Sequence, residues 1–464
     1  MPISPLPTDT IAAIATAPGR GAVAVLRVSG PHARQVLRRV APAAVDAPAR
    51  TQRLAAIRHP ETGELLDRAL VTLFPAPGSY TGEDTVEIST HGGTLTPQLV
   101  LGALLAAGAR AALPGEFTRR AYLNGKLDLL QAEAVADLID GRSPALHRAA
   151  VHQMERGLSR RVDELRGAII QAESLIAYSI DFPEEDEPPV PPARIRAAAD
   201  DVMRRMDALL ATAPEGELLR EGALTVLAGR PNSGKSSLFN ALLGTERAIV
   251  TEIPGTTRDA LEASVTVDGY PFRLVDTAGL RQTEDRVEGI GIEVARRYLA
   301  AADLVLFCAE AGRALGDDER DFLAGREPAR TLLVRTKADL ASTAPARFDG
   351  GTREGDDGMR SVSVAAVAGG GMPELRDALT RMAFGHILGD PGEAPLVTRE
   401  RHARALRRSR EEVAAFVAAL DDAVPMELAA THLRAAAGEL EDLIGAVSVD
   451  DVLDRVFGDF CVGK

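Results

Sequence analysis

Two apolar rhythms alternate along this chain, and their order predicts its organisation. Residues 1–124 are rich in strands and turns. Ala22–Val28 (AVAVLRV) and Ala69–Phe74 (ALVTLF) read as strands, with turn signals at Pro18-Gly19, Pro77-Gly78, Gly92-Gly93 and Pro114-Gly115. From Lys126 the period lengthens. Leu127–Ile139 and Ala145–Ile180 space their apolar residues along one helical face, with almost no glycine or proline. The acidic, proline-rich Asp181–Pro192 (DFPEEDEPPVPP) ends that run, because proline cannot continue a helix interior. A further helix is predicted over Ala193–Ala211.

From about Leu219 to Gly385 short apolar runs alternate with helical ones, the pattern of a mostly parallel sheet covered by helices. The predicted strands are Thr225–Ala228, Ser264–Val267, Phe272–Val275, Leu304–Cys308, Thr331–Arg335 and Ser361–Val364. The Gly- and Asp-rich residues 346–360 read as a surface loop. After Gly392 the helical period returns over Thr398–Leu420 and Met426–Ile444, followed by an apolar tail. Four segments follow: an α+β domain at 1–124, a first helical segment at 125–218, an α/β domain at 219–386 and a second helical segment at 387–464. The flanking helices are those of one helical domain carrying an insertion, or of two separate domains. No internal repeat is visible.

The α/β segment carries the chemistry. Residues 229–236 read Gly-Arg-Pro-Asn-Ser-Gly-Lys-Ser, between the strand run Ala223–Ala228 and the helical run Ser236–Leu243. A glycine-rich turn at that junction offers free backbone N–H groups and a helix dipole to phosphate, so the chain is expected to bind a nucleoside triphosphate. Lys235 is expected at the β- and γ-phosphates and the Ser236 hydroxyl on Mg²⁺, with Ser233, Gly234 and Ser237 beside them. Downstream lies Gly255-Thr256-Thr257-Arg258-Asp259, where Thr257 is the candidate second Mg²⁺ ligand sensing the γ-phosphate. Asp276-Thr277-Ala278-Gly279 closes a strand. Asp276 is expected to hold the metal through water, and the Gly279 N–H to meet the γ-phosphate.

Base choice falls to Thr336-Lys337-Ala338-Asp339. A carboxylate there accepts from both N1–H and the 2-amino group of guanine, which adenine cannot match. GTPases usually carry asparagine where this chain has Thr336, so guanine affinity is expected to weaken while Asp339 keeps specificity. The last loop starts Ala365-Ala366 rather than Ser-Ala. Leu280 follows the DTAG glycine, where small GTPases place a water-orienting glutamine; Glu288 is a candidate for that role.

Bulk composition sets bounds. The chain has 464 residues, 45% apolar, long enough for two to four domains. A net charge of −14 gives no global field to draw nucleic acid, so any RNA is met by a local patch or through a partner. Cys308 and Cys461 form no paired motif or zinc spacing, as expected in a reducing compartment. No apolar run reaches bilayer length, and the N-terminal residues lack a signal-peptide pattern; a soluble cytoplasmic protein is expected.

These boxes between helical flanks, with the ending Phe460-Cys461-Val462-Gly463-Lys464, resemble the MnmE (TrmE) family of tRNA-modification GTPases. The resemblance extends through Asp9-Thr10-Ile11, Pro18-Gly19-Arg20-Gly21, Arg27-Val28-Ser29-Gly30, Tyr80-Thr81-Gly82-Glu83-Asp84, His91-Gly92-Gly93, Pro114-Gly115-Glu116-Phe117, Asn124-Gly125-Lys126-Leu127-Asp128 and Asp181-Phe182-Pro183. It implies a homodimer built through an N-terminal folate-binding domain, and a helical domain of two segments into which the G domain is inserted. It implies an FAD-containing partner, MnmG, with which the family adds an aminomethyl or carboxymethylaminomethyl group to C5 of the wobble uridine of certain tRNAs. The carbon comes from methylene-tetrahydrofolate; a 5-formyl form is the other derivative the site is expected to take.

The resemblance assigns folate contacts to Arg27, Glu87, Lys126 and Lys464. It assigns K⁺ to Asn232, Thr251, Ile253 and Thr256, with Glu252, Pro254 and Gly255 along the same nucleotide-binding loop, and it makes Glu288 the water-orienting residue. Bound K⁺ then neutralises transition-state charge as an arginine finger does elsewhere. Cys461 is expected as a buried or regulatory thiol rather than a nucleophile, and Cys308 in the sheet core. The basic run Arg399–Arg410 (RERHARALRRSR) is a candidate tRNA contact, with a solvated or domain-contact face the preferred reading. Two rival classes are a ribosome-assembly switch, which would normally carry a basic RNA-binding appendage, and a stand-alone folate-dependent transferase, which needs no G domain.

Overall fold

A computed structural model describes residues 9–181, 191–245, 262–276, 288–340, 353–354, 359–388, 397–445, 453, 456–458 and 460–463. The chain divides into two compact units. One comprises Met1–Ala136, Gln153–Arg166 and Ala437–Lys464; the other comprises Asp137–His152 and Gly167–Ala436. The helical residues are thus shared between them.

The first unit is built on β1 (Ile11–Ile14), β2 (Val23–Ser29), α1 (Ala33–Val40), β3 (Arg53–Arg58), β4 (Leu65–Phe74), β5 (Thr85–His91), α2 (Leu95–Ala106), β6 (Arg110–Ala111) and α3 (Glu116–Leu123). The strands form one sheet in the order β3-β4-β5-β2-β1-β6, antiparallel except where β6 joins β1. Alternation within β2 sends Leu26 and Val28 to a core shared with Val36, Leu37, Val100 and Leu104 of α1 and α2. Helix α4 (Leu129–Asp140) begins just beyond α3, and its Leu129 and Ala132 pack with Leu453, Phe457 and Phe460.

Helix α5 (Pro144–Met154) and α6 (Gly157–Asp181) replace the single run expected over Ala145–Ile180. The break falls at Arg156. This residue takes φ 64°, and its guanidinium lies 3.0 Å from Asp163 and 3.5 Å from Asp128. Apolar spacing carries no record of a left-handed residue between two helices.

The second unit continues with α7 (Pro192–Leu210), α8 (Ala213–Glu221), β7 (Ala223–Ala228), α9 (Lys235–Thr245), β8 (Glu262–Val267), β9 (Tyr270–Asp276), α10 (Glu288–Ala301), β10 (Leu304–Glu310), α11 (Asp317–Ala324), β11 (Thr331–Thr336), β12 (Arg353–Glu354), β13 (Arg360–Ser363), α12 (Met372–Leu388), α13 (Glu400–Asp421) and α14 (Met426–Ile444). Its sheet runs β12-β13-β11-β10-β7-β9-β8, parallel except at the edge strands β8 and β12. All six expected strands form. Residues 353–354 make an edge strand inside the stretch read as loop. β7 is buried along its whole length, which is why it reads as a run that is apolar except at Thr225.

The basic run is largely spent inside this unit. Arg399 meets Asp137 at 2.6 Å and Arg410 meets Asp207 at 2.5 Å, while Arg404 and Arg407 face Glu400. This agrees with the domain-contact reading. No helix among the described residues is long and apolar enough to cross a membrane.

A buried ionic cluster holds the first unit together. Arg120, 1% exposed, donates to the Asp9 carbonyl at 2.9 Å, Asp9 Oδ1 at 2.7 Å, Glu116 Oε1 at 3.0 Å and Glu83 Oε1 at 3.2 Å. Burial alone raises the carboxyls of Asp9 and Glu116, but hydrogen bonds from Arg110 and Arg120 outweigh it and hold both below their ordinary range. Their stabilisation is present above the unfolded carboxyl range near ~4 and disappears as pH falls through the lower folded values. Arg120→Met is expected to cost about 3 kcal/mol, because it takes a partner from the buried Glu116 and the half-buried Glu83 carboxylates. Thermal melts should show a lower midpoint for the variant at pH 7, with the gap to wild type narrowing below pH ~4 as the carboxylates protonate.

Candidate functional site

The junction between β7 and α9 is shaped by what little space it leaves. Gly229 takes φ 138°, and a Cβ there would lie 2.3 Å from the Cys308 carbonyl oxygen. Gly234, at φ 85°, would bring a Cβ within 3.2 Å of Thr336. Only glycine serves at either position. Asn232 between them is left-handed at φ 61°, a conformation asparagine tolerates better than most residues. The loop wraps the start of α9, where unsatisfied N–H groups and the dipole favour an anion.

Lys235, 5% exposed, is folded over this loop, its Nζ donating to the carbonyls of Gly229 at 3.0 Å and Arg230 at 2.7 Å. The Ser236 hydroxyl donates to Asp276 Oδ2 at 2.8 Å, so the first residues of α9 and the last of β9 bring two oxygen groups together. Hard oxygen donors beside a phosphate cradle suit Mg²⁺. A cavity of about 940 Å³ opens here, lined by Gly229–Asn232, Gly234–Ser237 and Lys337 on one side and by Ala295, Leu299, Phe307 and Phe322 on another. Ser233 is buried and does not line it.

Parallel register carries the base-reading residues to the same sheet edge. β11 ends in Thr336, paired in register with Glu310 at the end of β10. Lys337 takes φ 54° and its ammonium is paired with Glu310. Asp339 follows in a short 3-10 helix, exposed. The Ala338 N–H donates to the Val364 carbonyl at 3.1 Å, tying this turn to the loop opening with Ala365 and Ala366. Ala365 is itself closed against Gly370 by an N–H···O bond of 2.8 Å.

Thr336 does more than lose reach to the base. Its hydroxyl donates to the Ser233 carbonyl of the P-loop, a role that spacing alone did not indicate. Sequence reasoning also missed Glu310, whose only signal is an acid closing an otherwise apolar strand. Arg230 was missed too; it lies 3.7 Å from Glu319, which is 3% exposed and hydrogen-bonded by Arg313. Burial pushes the Cys308 thiol up to about 12, so it is the neutral sheet-core residue expected. Residues Thr251–Thr257, Thr277–Gly279 and Lys464 lie outside the described residues. Glu288 begins α10, but its side chain lies outside them as well.

In the first unit, Arg27 and Glu87 stand opposite each other on β2 and β5, bonded at 2.9 Å and 3.1 Å. The Arg27 guanidinium lies over Tyr80 at 5.4 Å and Phe117 at 5.7 Å. Lys126 donates to the Pro77 carbonyl at 3.1 Å. The tail returns to the same sheet: Val462 bridges Pro114, and a Cβ on Gly463 would lie 2.5 Å from the Ile14 carbonyl oxygen. An ion pair on an aromatic floor fits a flat, polar heterocycle with a carboxylate, as a folate is. Cys461 is exposed, which removes the buried alternative for that thiol. No cluster of three metal-ligating His, Cys, Asp or Glu side chains occurs among the described residues.

A glycine-cradled turn between strand and helix, a lysine over it and a serine–aspartate pair beside it, on a mostly parallel sheet, define a P-loop nucleotide-binding domain. Residues 10–126 match the family model "GTP-binding protein TrmE N-terminus", and residues 129–461 match "MnmE helical domain". "tRNA modification GTPase MnmE" of Heliobacterium modesticaldum is 42% identical over 98% of this chain and 99% of its own length. The protein of the same name from Azoarcus sp. is 43% identical over 99% of each. The solved G domain of the T. maritima FeoB iron transporter aligns at 29% identity with a TM-score of 0.25, covering 34% of this chain and 97% of its own. This chain belongs to the MnmE family.

Lys235→Ala is expected to weaken triphosphate binding about a hundredfold while leaving the circular dichroism spectrum unchanged, since the bonds it gives to the Gly229 and Arg230 carbonyls lie within one surface loop. Displacement of a fluorescent guanine nucleotide measures it. In the same assay unlabelled GTP should compete with the wild-type protein and ATP should not.

Proposed function

We propose that this chain is a potassium-stimulated GTP hydrolase that acts in tRNA modification. With an FAD-containing partner, MnmG, it adds an aminomethyl or carboxymethylaminomethyl group to C5 of the wobble uridine, drawing the carbon from 5,10-methylene-tetrahydrofolate. The observation that carries the reading is the meeting of Lys235, Ser236 and Asp276 at one glycine-lined turn, in a chain whose relatives bear the name tRNA modification GTPase.

Each residue has a task. Phosphate oxygens replace the Gly229 and Arg230 carbonyls as partners of Lys235. Ser236 and Thr257 hold Mg²⁺, with Asp276 behind the serine; when bound, the ion neutralises the phosphate oxygens. Asn232, Thr251, Ile253 and Thr256 hold K⁺, which supplies further positive charge at the transferring phosphoryl group. Glu288 orients the attacking water. Asp339 accepts from the guanine N1–H and amino groups. Arg27, Glu87, Lys126 and Lys464 hold the folate. The working form is a cytoplasmic homodimer that meets tRNA largely through the flavoprotein.

Nucleoside mass spectrometry of tRNA from cells lacking this chain should show loss of the C5 wobble-uridine group; unchanged modification would defeat the proposal in favour of a GTP switch of another pathway. The potassium assignment has its own check. Hydrolysis is expected to run at least about tenfold faster in KCl than in NaCl at matched ionic strength, and equal rates would remove K⁺ from the mechanism.

A further inference from the structure

Thr336 departs from the asparagine usual in GTPases, and its hydroxyl is already committed. Oγ1 donates to the Ser233 carbonyl at 2.7 Å and lies 3.3 Å from the Ala309 carbonyl. The side chain is 1% exposed. A Cβ on Gly234 would come within 3.2 Å of both its Cβ and its Oγ1, so the P-loop runs directly over it. Both neighbouring oxygens are acceptors, and a hydroxyl has one proton to give. An asparagine amide has two N–H donors, one for a loop carbonyl and another for a purine ring nitrogen. Threonine cannot serve both. Asp339 only accepts when ionised, and the adjoining Lys337 ammonium is held by Glu310.

We infer that Thr336 is a positioning residue for the P-loop and offers no donor to purine N7, so that guanine is read on its Watson–Crick edge alone, by Asp339. This deepens the GTP reading above and rests on it. Two acceptors, the Ser233 and Ala309 carbonyls, thus face a single hydroxyl proton, and the loop takes it.

The test uses the full chain with Mg²⁺ and KCl, and displacement of a fluorescent GDP analogue by GTP, 7-deaza-GTP, ITP and ATP. In 7-deaza-GTP the N7 acceptor is a C–H; ITP lacks the 2-amino group. GTP and 7-deaza-GTP should bind within about twofold of each other, and ITP about tenfold weaker, the equivalent of about 1.4 kcal/mol. T336N should gain a preference of about tenfold for GTP over 7-deaza-GTP. T336V should weaken GTP, GDP and 7-deaza-GTP alike by about tenfold, with T336S restoring all three; if T336V unfolds, the T336S and T336N arms still decide. A tenfold loss for 7-deaza-GTP with the wild-type chain, or unaltered binding by folded T336V, would overturn the inference. If ATP binds and no guanine nucleotide does, the GTP reading itself fails and takes this inference with it.

Discussion

Everything at the nucleotide site depends on the parallel register of β7, β10 and β11. Because Phe307 pairs with Ala228 and Glu310 with Thr336, β10 and β11 end level with each other and both run on beyond the end of β7. The P-loop leaves β7 and passes close against the ends of the other two. That passage fixes its path: the Cys308 carbonyl excludes any side chain at Gly229, and Thr336 crowds Gly234. The loop's shape is therefore set from outside, by strand ends, as much as by its own glycines. A loop held this way needs little reorganisation when phosphate arrives, and low reorganisation is where a preformed anion site gains its affinity.

The two units solve burial of charge differently. In the first, Arg120 is surrounded by acceptors from three separate segments, and its removal would leave carboxylates in a dry setting. In the second, most ion pairs lie on helix surfaces, where each contributes little. Polar clustering under the sheet therefore specifies how segments distant in sequence meet. Gly30 shows the same need for closeness, since a Cβ there would strike the Asp9 carbonyl at 2.6 Å.

What was legible in the sequence follows from period and order. The α/β strands could be read because β7, β10 and β11 are buried along nearly their whole length and appear as largely apolar runs. Lys235, Ser236 and Asp276 could be read because their spacing is tied to strand ends. The helix break at Arg156 could not, since an exposed arginine at positive φ leaves no apolar signature. Nor could the bond from Thr336 to Ser233, because partners 103 residues apart are related only through the register of the folded sheet. The Arg120 cluster was opaque for the same reason: its members are scattered among turns and helix starts whose composition looks like ordinary surface charge.

The packing of Gly445, Phe457 and Phe460 against the first unit's early residues has a consequence for the order in which the protein is made. Tyr122 bonds the Gly445 carbonyl, a partner 323 positions later in the chain. Leu129 and Ala132 likewise complete their core with Phe457 and Phe460. During synthesis the sheet of the first unit leaves the ribosome early, yet the apolar face around Leu129 must wait until the whole nucleotide domain has followed it. Such distant pairings close late and slowly. The nucleotide domain, whose strands pair over shorter spans, thus has the opportunity to assemble while its host is still open.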